Sequence, residues 1–289
     1  MSKPKILIQI DSDPQSSCFD RIVAYDAGVD VVVAYGGVTD DQLESLVHGA
    51  MFTRGPKDLH RTAIFVGGSQ VAVGERMLAK IRKTFFGPLT VSVMMDANGA
   101  NTTAAAAVLT ADRHLDLARS KALVLGGTGP VGQRVARLLA GRGASVRLAS
   151  RSLDRASAAA EQINQVVKNR RVSPYNSSES DSLTEALSDV ELVISAGAAG
   201  IELLSADIRA TNPSLKLAID LNAVPPSGIE GVDMMDKAKD HAGLLTYGAI
   251  GVGGTKMKIH KAAIAQLFES NDQVLDAETI YDLGKSILS

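Results

Sequence analysis

Residues 123–132 read Leu-Val-Leu-Gly-Gly-Thr-Gly-Pro-Val-Gly, and within them Gly127-Thr128-Gly129-Pro130-Val131-Gly132 has a spacing that can hold a pyrophosphate. Gly127 permits a tight turn, Gly129 lets backbone approach the phosphates, and Gly132 lets a helix pack closely on the preceding strand. The N–H groups that open that helix carry the positive end of its dipole and suit an anion. Glycine-rich turns are common, so the order of the surrounding elements decides. An apolar strand comes first, the helical pattern Val131, Val135, Leu138, Leu139 follows, and a second strand, Ser145–Ser150, comes next. That is the order a dinucleotide site requires.

The end of the second strand bears on which dinucleotide is bound. An NAD site usually places Asp or Glu roughly 20 residues after the glycines, where it bonds the ribose hydroxyls. This chain has Ala149-Ser150-Arg151-Ser152 there. A carboxylate would repel a 2′-phosphate, whereas Arg151 can grip one through charged hydrogen bonds, with Ser150 and Ser152 as hydroxyl donors. The bland alternative is a solvated arginine at the start of a helix. The pattern favours NADP over NAD.

Two further segments could carry chemistry. Asp96-Ala97-Asn98-Gly99-Ala100-Asn101-Thr102-Thr103 lies at the carboxyl end of a strand and at the entry to an Ala-rich helix. Its amides and hydroxyls could bond a planar, amide-rich ligand or a nicotinamide, or could simply cap the helix, with Asn101 or Thr102 as the cap. Gly251-Val252-Gly253-Gly254-Thr255-Lys256 leads into another helix, expected from Thr255. A lysine at a helix N-terminus is opposed by the dipole, which suggests that Lys256 has a task or a depressed pKa. Gly67-Gly68-Ser69-Gln70 reads as a structural turn, and Asp20 by itself as an exposed helical residue. The histidines, His48, His60, His114, His241 and His260, show no metal-ligand spacing, so no metal is expected. No GxSxG elbow is present for acyl transfer.

The elements that must position these residues alternate strand and helix almost throughout. Strand-like runs are Lys5–Asp11, Asp30–Tyr35, Thr62–Gly67 and Thr90–Asp96, then a second series from Lys121 through Ser145–Ser150, Glu191–Ala196, Lys216–Asp220 and Leu244–Tyr247. Such alternation predicts an α/β fold with parallel sheets. The expected organisation is a first α/β domain of residues 1–101, completed by C-terminal helices over 254–289, and a Rossmann domain of residues 119–253. A connector helix over 102–118 joins them, and the polar stretch Ser173–Asp181 reads as a surface loop. Ligands are expected in a cleft between the domains, facing the carboxyl ends of the Rossmann strands.

Composition removes several other classes. The 289 residues are 45% hydrophobic and 21% charged, with a net charge of −2, which offers no general attraction for nucleic acid or an anionic membrane. The one cysteine, Cys18, excludes a disulfide framework within the chain. The apolar run after Lys3-Pro4-Lys5 stops at Asp11, too short for a signal peptide, and no run suits a membrane span. A reducing cytoplasm is the simplest setting.

Together these segments resemble a known family. The opening Ile-Gln-Ile-Asp-Ser-Asp with Cys18-Phe19-Asp20, the Thr-Ala-Ile-Phe-Val-Gly-Gly run at 62–68, Asp96–Ala106, Gly127–Gly132 and Gly248–Lys256 are similar to the NAD(P)-dependent methylene-tetrahydromethanopterin dehydrogenases. The similarity spans the chain and includes Leu267-Phe268-Glu269-Ser270 and Asp276-Ala277-Glu278. It implies hydride transfer from a methylene-bridged reduced pterin, or in some members methylene-tetrahydrofolate, to NADP or NAD, in a homo-oligomer. It also implies a catalytic role for Lys256, a pterin side lined by Asp20 and the segment with Asn98, Asn101, Thr102 and Thr103, and a cofactor side at Gly127–Gly132 and Ser150–Ser152. Asp154-Arg155 stands where a relative with strict NADP use has a lysine, which leaves use of both cofactors open. Two other readings are a shikimate-type dehydrogenase, which would need an acid–base residue for its hydroxyl proton, and a non-catalytic NADP sensor.

Overall fold

The computed structural model describes residues 3–288. The chain divides into two units, one holding residues up to Thr102 and from Met257 onward, the other Thr103–Lys256.

In the first unit apolar strands alternate with amphipathic helices: β1 (Ile6–Ile10), α1 (Cys18–Asp26), β2 (Val31–Tyr35), α2 (Leu43–Phe52), β3 (Thr62–Val66), α3 (Val71–Thr84) and β4 (Ser92–Met95). Helix α4 (Ala100–Asp112) then carries the chain across the boundary between units. Every residue of β3 and β4 is buried, as expected of central parallel strands covered on both faces. Side chains such as Phe65 and Met94 each contribute about 1.5–3 kcal/mol by leaving water.

The second unit contains β5 (Lys121–Leu125), α5 (Pro130–Gly141), β6 (Ser145–Ser150), α6 (Leu153–Val167), β7 (Val172–Asn176), α7 (Ser180–Leu187), β8 (Leu192–Ser195), α8 (Ala206–Ala210), β9 (Leu217–Asp220), β10 (Lys237–His241), β11 (Leu244–Tyr247) and the start of α9 (Ala249–Gln266). Its seven strands lie in the order β10-β11-β9-β8-β5-β6-β7. All neighbours are parallel except β10, which is antiparallel to β11. The order reverses at β5, so the turn after β5 sits at the switch point of a doubly wound sheet. Leu123, Leu125, Val193, Leu204 and Ala218 belong to the core beneath it.

The chain then returns to the first unit with β12 (Val274–Leu275) and α10 (Ala277–Leu288). β12 pairs with β4, completing a five-stranded parallel sheet in the order β12-β4-β3-β1-β2. Among the described residues no helix is long and apolar enough to cross a membrane.

Three expectations are corrected. The stretch Ser173–Asp181 is not a loop: it holds most of β7 and the first turn of α7. β7 is an edge strand, where Pro174 and polar side chains are tolerated. The helix expected from Thr102 opens at Ala100 and closes at Asp112. The helix expected from Thr255 opens at Ala249, so Gly251, Gly253 and Gly254 are helical.

Candidate functional site

In the second unit the chain leaves β5 through Gly126, whose φ is +67°, a left-handed conformation suited to glycine. A Cβ there would lie 2.6 Å from the Cα of Gly197, so the turn packs backbone to backbone against the segment after β8. The tight turn thus falls on Gly126 and not, as expected, on Gly127. Gly127 instead donates its N–H to the Ala149 carbonyl at 2.9 Å, tying the turn to β6. Gly129 caps α5 in an extended conformation, Pro130 opens the helix, and no side chain caps it. This end of the helix therefore keeps donors for an anion. At Gly132 a Cβ would come within 2.8 Å of the Gly127 Cα, which accounts for the glycine where helix meets turn. The Gln133 amide donates to the Thr128 carbonyl at 2.8 Å, and Val131 is half-buried beside it on α5.

Thr128 and Ser150 share a hydroxyl–hydroxyl hydrogen bond of 3.1 Å, linking the turn to the end of β6. Ser150 is buried, and its carbonyl accepts the Ser177 N–H at 2.9 Å. Arg151 is exposed, and its guanidinium has no carboxylate partner among the described residues. Ser152 caps α6 by accepting the Arg155 N–H at 3.3 Å, so its oxygen is already engaged. A phosphate-sized cradle of backbone donors thus lies beside an uncompensated arginine, and a 2′-phosphorylated dinucleotide fits this donor set.

In the first unit Asp96 stands at the carboxyl end of β4 and is buried. Its Oδ1 accepts the N–H groups of Asn101 at 2.9 Å and Thr102 at 3.0 Å, and its Oδ2 accepts the Thr102 hydroxyl at 2.6 Å. Asp96 therefore caps α4, whereas the sequence suggested Asn101 or Thr102. The Asn101 amide donates to the Met95 carbonyl at 2.6 Å, and both Asn101 and Thr102 are fully buried. Asn98 differs from these: it is exposed and left-handed (φ 56°), and its N–H donates to the Gly68 carbonyl at 2.6 Å. Thr103 is half-buried on α4, on the second unit's side of the boundary.

Also in the first unit, Ser17 caps α1 by accepting the Asp20 N–H at 3.2 Å, which places Asp20 in the helix's first turn. The Asp20 carboxylate lies 3.8 Å from Nε2 of His260, whose side chain is fully buried. Phe65 stacks on the imidazole with centroids 5.9 Å apart, and Phe19, half-exposed, tilts against it at 6.2 Å. A buried imidazole facing a partly exposed carboxylate beside two aromatic rings offers a hydrogen-bond acceptor next to an apolar face, which suits a polar, flat ligand. His260 was not singled out in the sequence. Its signal is the four-residue spacing from Lys256, which puts both side chains on one helix face.

Asp11, buried at the end of β1, has its carboxyl pushed up by burial, against N–H groups of Ser17 at 3.1 Å and Asp13 at 3.2 Å that favour the ion. It holds the loop leading into α1.

Lys256 lies two turns inside α9, not at its N-terminus, so the argument from an opposing helix dipole does not apply. The glycines before it serve two purposes. A Cβ at Gly251 would lie 2.9 Å from the Asp236 carbonyl carbon, so helix packs on backbone there. A Cβ at Gly253 or Gly254 would meet nothing within 4 Å, and Gly253, three residues before Lys256, leaves the helix face beside that lysine open.

Comparisons with known proteins agree with these two halves. The family described as "Methylene-tetrahydromethanopterin dehydrogenase, N-terminal" matches residues 18–98, and "Saccharopine dehydrogenase NADP binding domain" matches residues 122–206. The chain is 46% identical to a Methylorubrum extorquens protein named "Bifunctional protein MdtA", covering 99% of this chain and 100% of the relative. It is 29% identical to the "NAD(P)-dependent methylenetetrahydromethanopterin dehydrogenase" of the same organism, over 94% of each chain. Among solved structures, shikimate 5-dehydrogenase from Listeria monocytogenes shares the fold, with a TM-score of 0.57 at 14% identity, covering 99% of this chain and 96% of that one.

Proposed function

The chain belongs to the methylene-tetrahydromethanopterin dehydrogenase family, and on that premise we propose that it oxidises the methylene bridge of methylene-tetrahydromethanopterin to the methenyl form, with NADP as oxidant. The observation that carries the cofactor half is the glycine cradle at 126–132 beside Arg151, with no carboxylate at the end of β6. The cradle residues Thr128, Gly129 and Val131, with Ser150 and Arg151, would hold NADP, which supplies the hydride-accepting nicotinamide.

The pterin falls to the first unit. Loss of hydride leaves a carbon flanked by two nitrogens whose lone pairs spread the positive charge over the methenyl product. No proton has to be removed, so the site needs no general base. The protein's part is to hold the donor carbon at about 3–3.5 Å from its acceptor, exclude water and place charges that favour the cation. Asp20, oriented beside His260, offers an acceptor for ring N–H groups and a negative charge for the developing cation. Asn98 offers an exposed amide at the end of β4. Asn101 and Thr102 act from behind by fixing the start of α4 through Asp96, and Thr103 follows them on the helix. A charged Lys256 next to the cation would oppose it, so its place is at a pterin carbonyl away from the reacting carbon, or it is neutral there.

The test is steady-state kinetics of the purified chain with methylene-tetrahydromethanopterin and methylene-tetrahydrofolate, each with NADP and NAD. Reduced nicotinamide should appear with the methanopterin substrate and NADP. Its absence from all four combinations overturns the reading, and equal use of NAD removes the weight placed on Arg151. A homo-oligomer and a cytoplasmic setting belong to the same proposal. Light scattering of the purified protein and cell fractionation test them.

A further inference from the structure

Ser195 ends β8 and Asp220 ends β9, and the two are register partners in a parallel pair. Their side chains therefore leave the same face of the sheet at its carboxyl end. Both are buried, Asp220 at 1% and Ser195 at 0% exposure. The Asp220 carboxylate accepts the N–H groups of Asn222 and Ile229, each at 3.1 Å, and Gly228 and the buried Ser195 side chain lie beside it. Burial pushes the carboxyl up, while these donors favour its ion. A Cβ on Gly228 would lie 2.8 Å from Asp220 Oδ1 and closer still to the Ser195 hydroxyl, so the loop can reach the carboxylate only as glycine.

Asn222 extends the arrangement. Its Oδ1 accepts N–H groups of Val224 at 3.0 Å and Gly200 at 3.4 Å, and its amide donates to the Pro226 carbonyl at 2.9 Å. One carboxylate and one amide thus fasten two loops, after β8 and after β9. The loop they fasten presents Ala223-Val224-Pro225-Pro226 outward, with Val224 half-exposed. An apolar loop with so many fixed backbone groups is costly to build around a buried carboxylate unless its exact position matters. The neighbouring segment, Gly197, is the one against which Gly126 packs, so these loops continue the cradle across the switch point.

In a doubly wound sheet each half takes one mononucleotide, and here the glycine turn, β6 and Arg151 account for the adenosine half. We propose that Asp220, with Ser195, Asn222 and Gly228, is a positioning device for the nicotinamide half, holding the 221–228 loop as the apolar shelf on which the ring lies. The proposal rests on the NADP reading above.

The test compares two probes on the purified full chain by calorimetry: NADP, and adenosine 2′,5′-bisphosphate, which carries the adenosine half alone. In Asp220→Asn, whose NH2 group faces an N–H that one carboxylate oxygen had accepted, and in the milder Asn222→Ala, the bisphosphate should bind within about twofold of the parent. NADP should weaken about tenfold or more, the scale of one or two lost hydrogen bonds. Single-turnover hydride transfer should fall in parallel. Equal weakening of both probes would mean a general loss of the second unit's integrity, and no change in either would mean the loop is unused. Either outcome overturns the proposal. If Asp220→Asn does not fold, Asn222→Ala carries the comparison. A parent protein that binds NADP yet oxidises no pterin would refute the proposed function while leaving this comparison intact.

Discussion

Replacing Arg151 with Ala tests the cofactor assignment most directly, because its guanidinium has no carboxylate partner among the described residues. The charge at stake can be bounded. Two unit charges 4 Å apart attract by about 1 kcal/mol in bulk water and about 4 kcal/mol in the effective dielectric near a protein surface. Arg151 is exposed, so solvent screening places it toward the lower end. A hydrogen bond to a charged group contributes about 1.5–3 kcal/mol net. Since about 1.4 kcal/mol is a factor of ten, KM for NADP should rise roughly 10- to 150-fold in Arg151→Ala. KM for NAD, which lacks the 2′-phosphate, should stay within about twofold, and kcat should change little because the interaction is made equally before and during hydride transfer. The assay is steady-state kinetics with both cofactors at two ionic strengths. The parent's NADP preference should shrink at the higher salt and the variant's should not. Parallel loss with NAD and NADP would show that Arg151 supports the loop rather than the phosphate, and an unchanged KM for NADP would refute the reasoning outright.

Three more outcomes are expected. Lys256→Met should slow single-turnover hydride transfer about a hundredfold, the scale of a misaligned donor when the lysine no longer holds the pterin carbonyl, and an unchanged rate removes Lys256 from the chemistry. Gly132→Ala should destabilise the protein by about 1–3 kcal/mol through overpacking against Gly127, read as a lower unfolding temperature in calorimetry, and an unchanged temperature would show that the helix shifts freely. Burial pushes the Asp236 carboxyl up, but the Thr246 hydroxyl at 2.8 Å, the Asp233 N–H at 3.1 Å and Lys239 at 3.2 Å prevail and hold it below the ordinary range. A depressed native pKa gives stability that is present above the unfolded value of 3.8 and lost as pH falls through the native one. Asp236→Asn should therefore cost about 1–3 kcal/mol at pH near 7 and progressively less in acid, by urea unfolding. A gap that does not narrow would mean the ionised form is not what matters.

The central strands were legible because burial on both faces makes them continuous apolar runs: Ala122–Leu125, Leu192–Ile194 and Leu217–Ile219 are buried residue by residue. The edges were not. β7 reads Val-Ser-Pro-Tyr-Asn and β10 reads Lys-Ala-Lys-Asp-His, and β10 is exposed throughout. Polar and charged side chains keep an open edge from pairing with another chain, and the same property removes the apolar pattern by which a strand is recognised. β12 is only two residues long, and its pairing with β4 joins positions about 180 apart in the sequence, which no local pattern encodes.

The site divides along the same line between local and distant causes. The glycine turn is local, so its sequence order was enough to find it, although the positive φ fell one residue earlier, at Gly126. The cap of α4 was misplaced because Asp96 reaches forward to the Asn101 and Thr102 N–H groups across the intervening turn, a reach longer than the usual cap. Asp20 and His260 meet only when α1 and α9 fold into one unit, and nothing at either position announces the other. Glycine itself is the clearest case of one residue with two meanings. At Gly248 and Gly251 the missing Cβ admits the backbone of residues 233–237, whereas Gly253 and Gly254 face open space, Gly253 on the same helix face as Lys256. In the sequence these glycines are one run with nothing to tell them apart. In the structure the first two are explained by packing, and only the last two leave room for a ligand to approach. The case for Lys256 therefore rests on that open helix face and on its spacing from His260, not on the run of glycines or on a helix terminus.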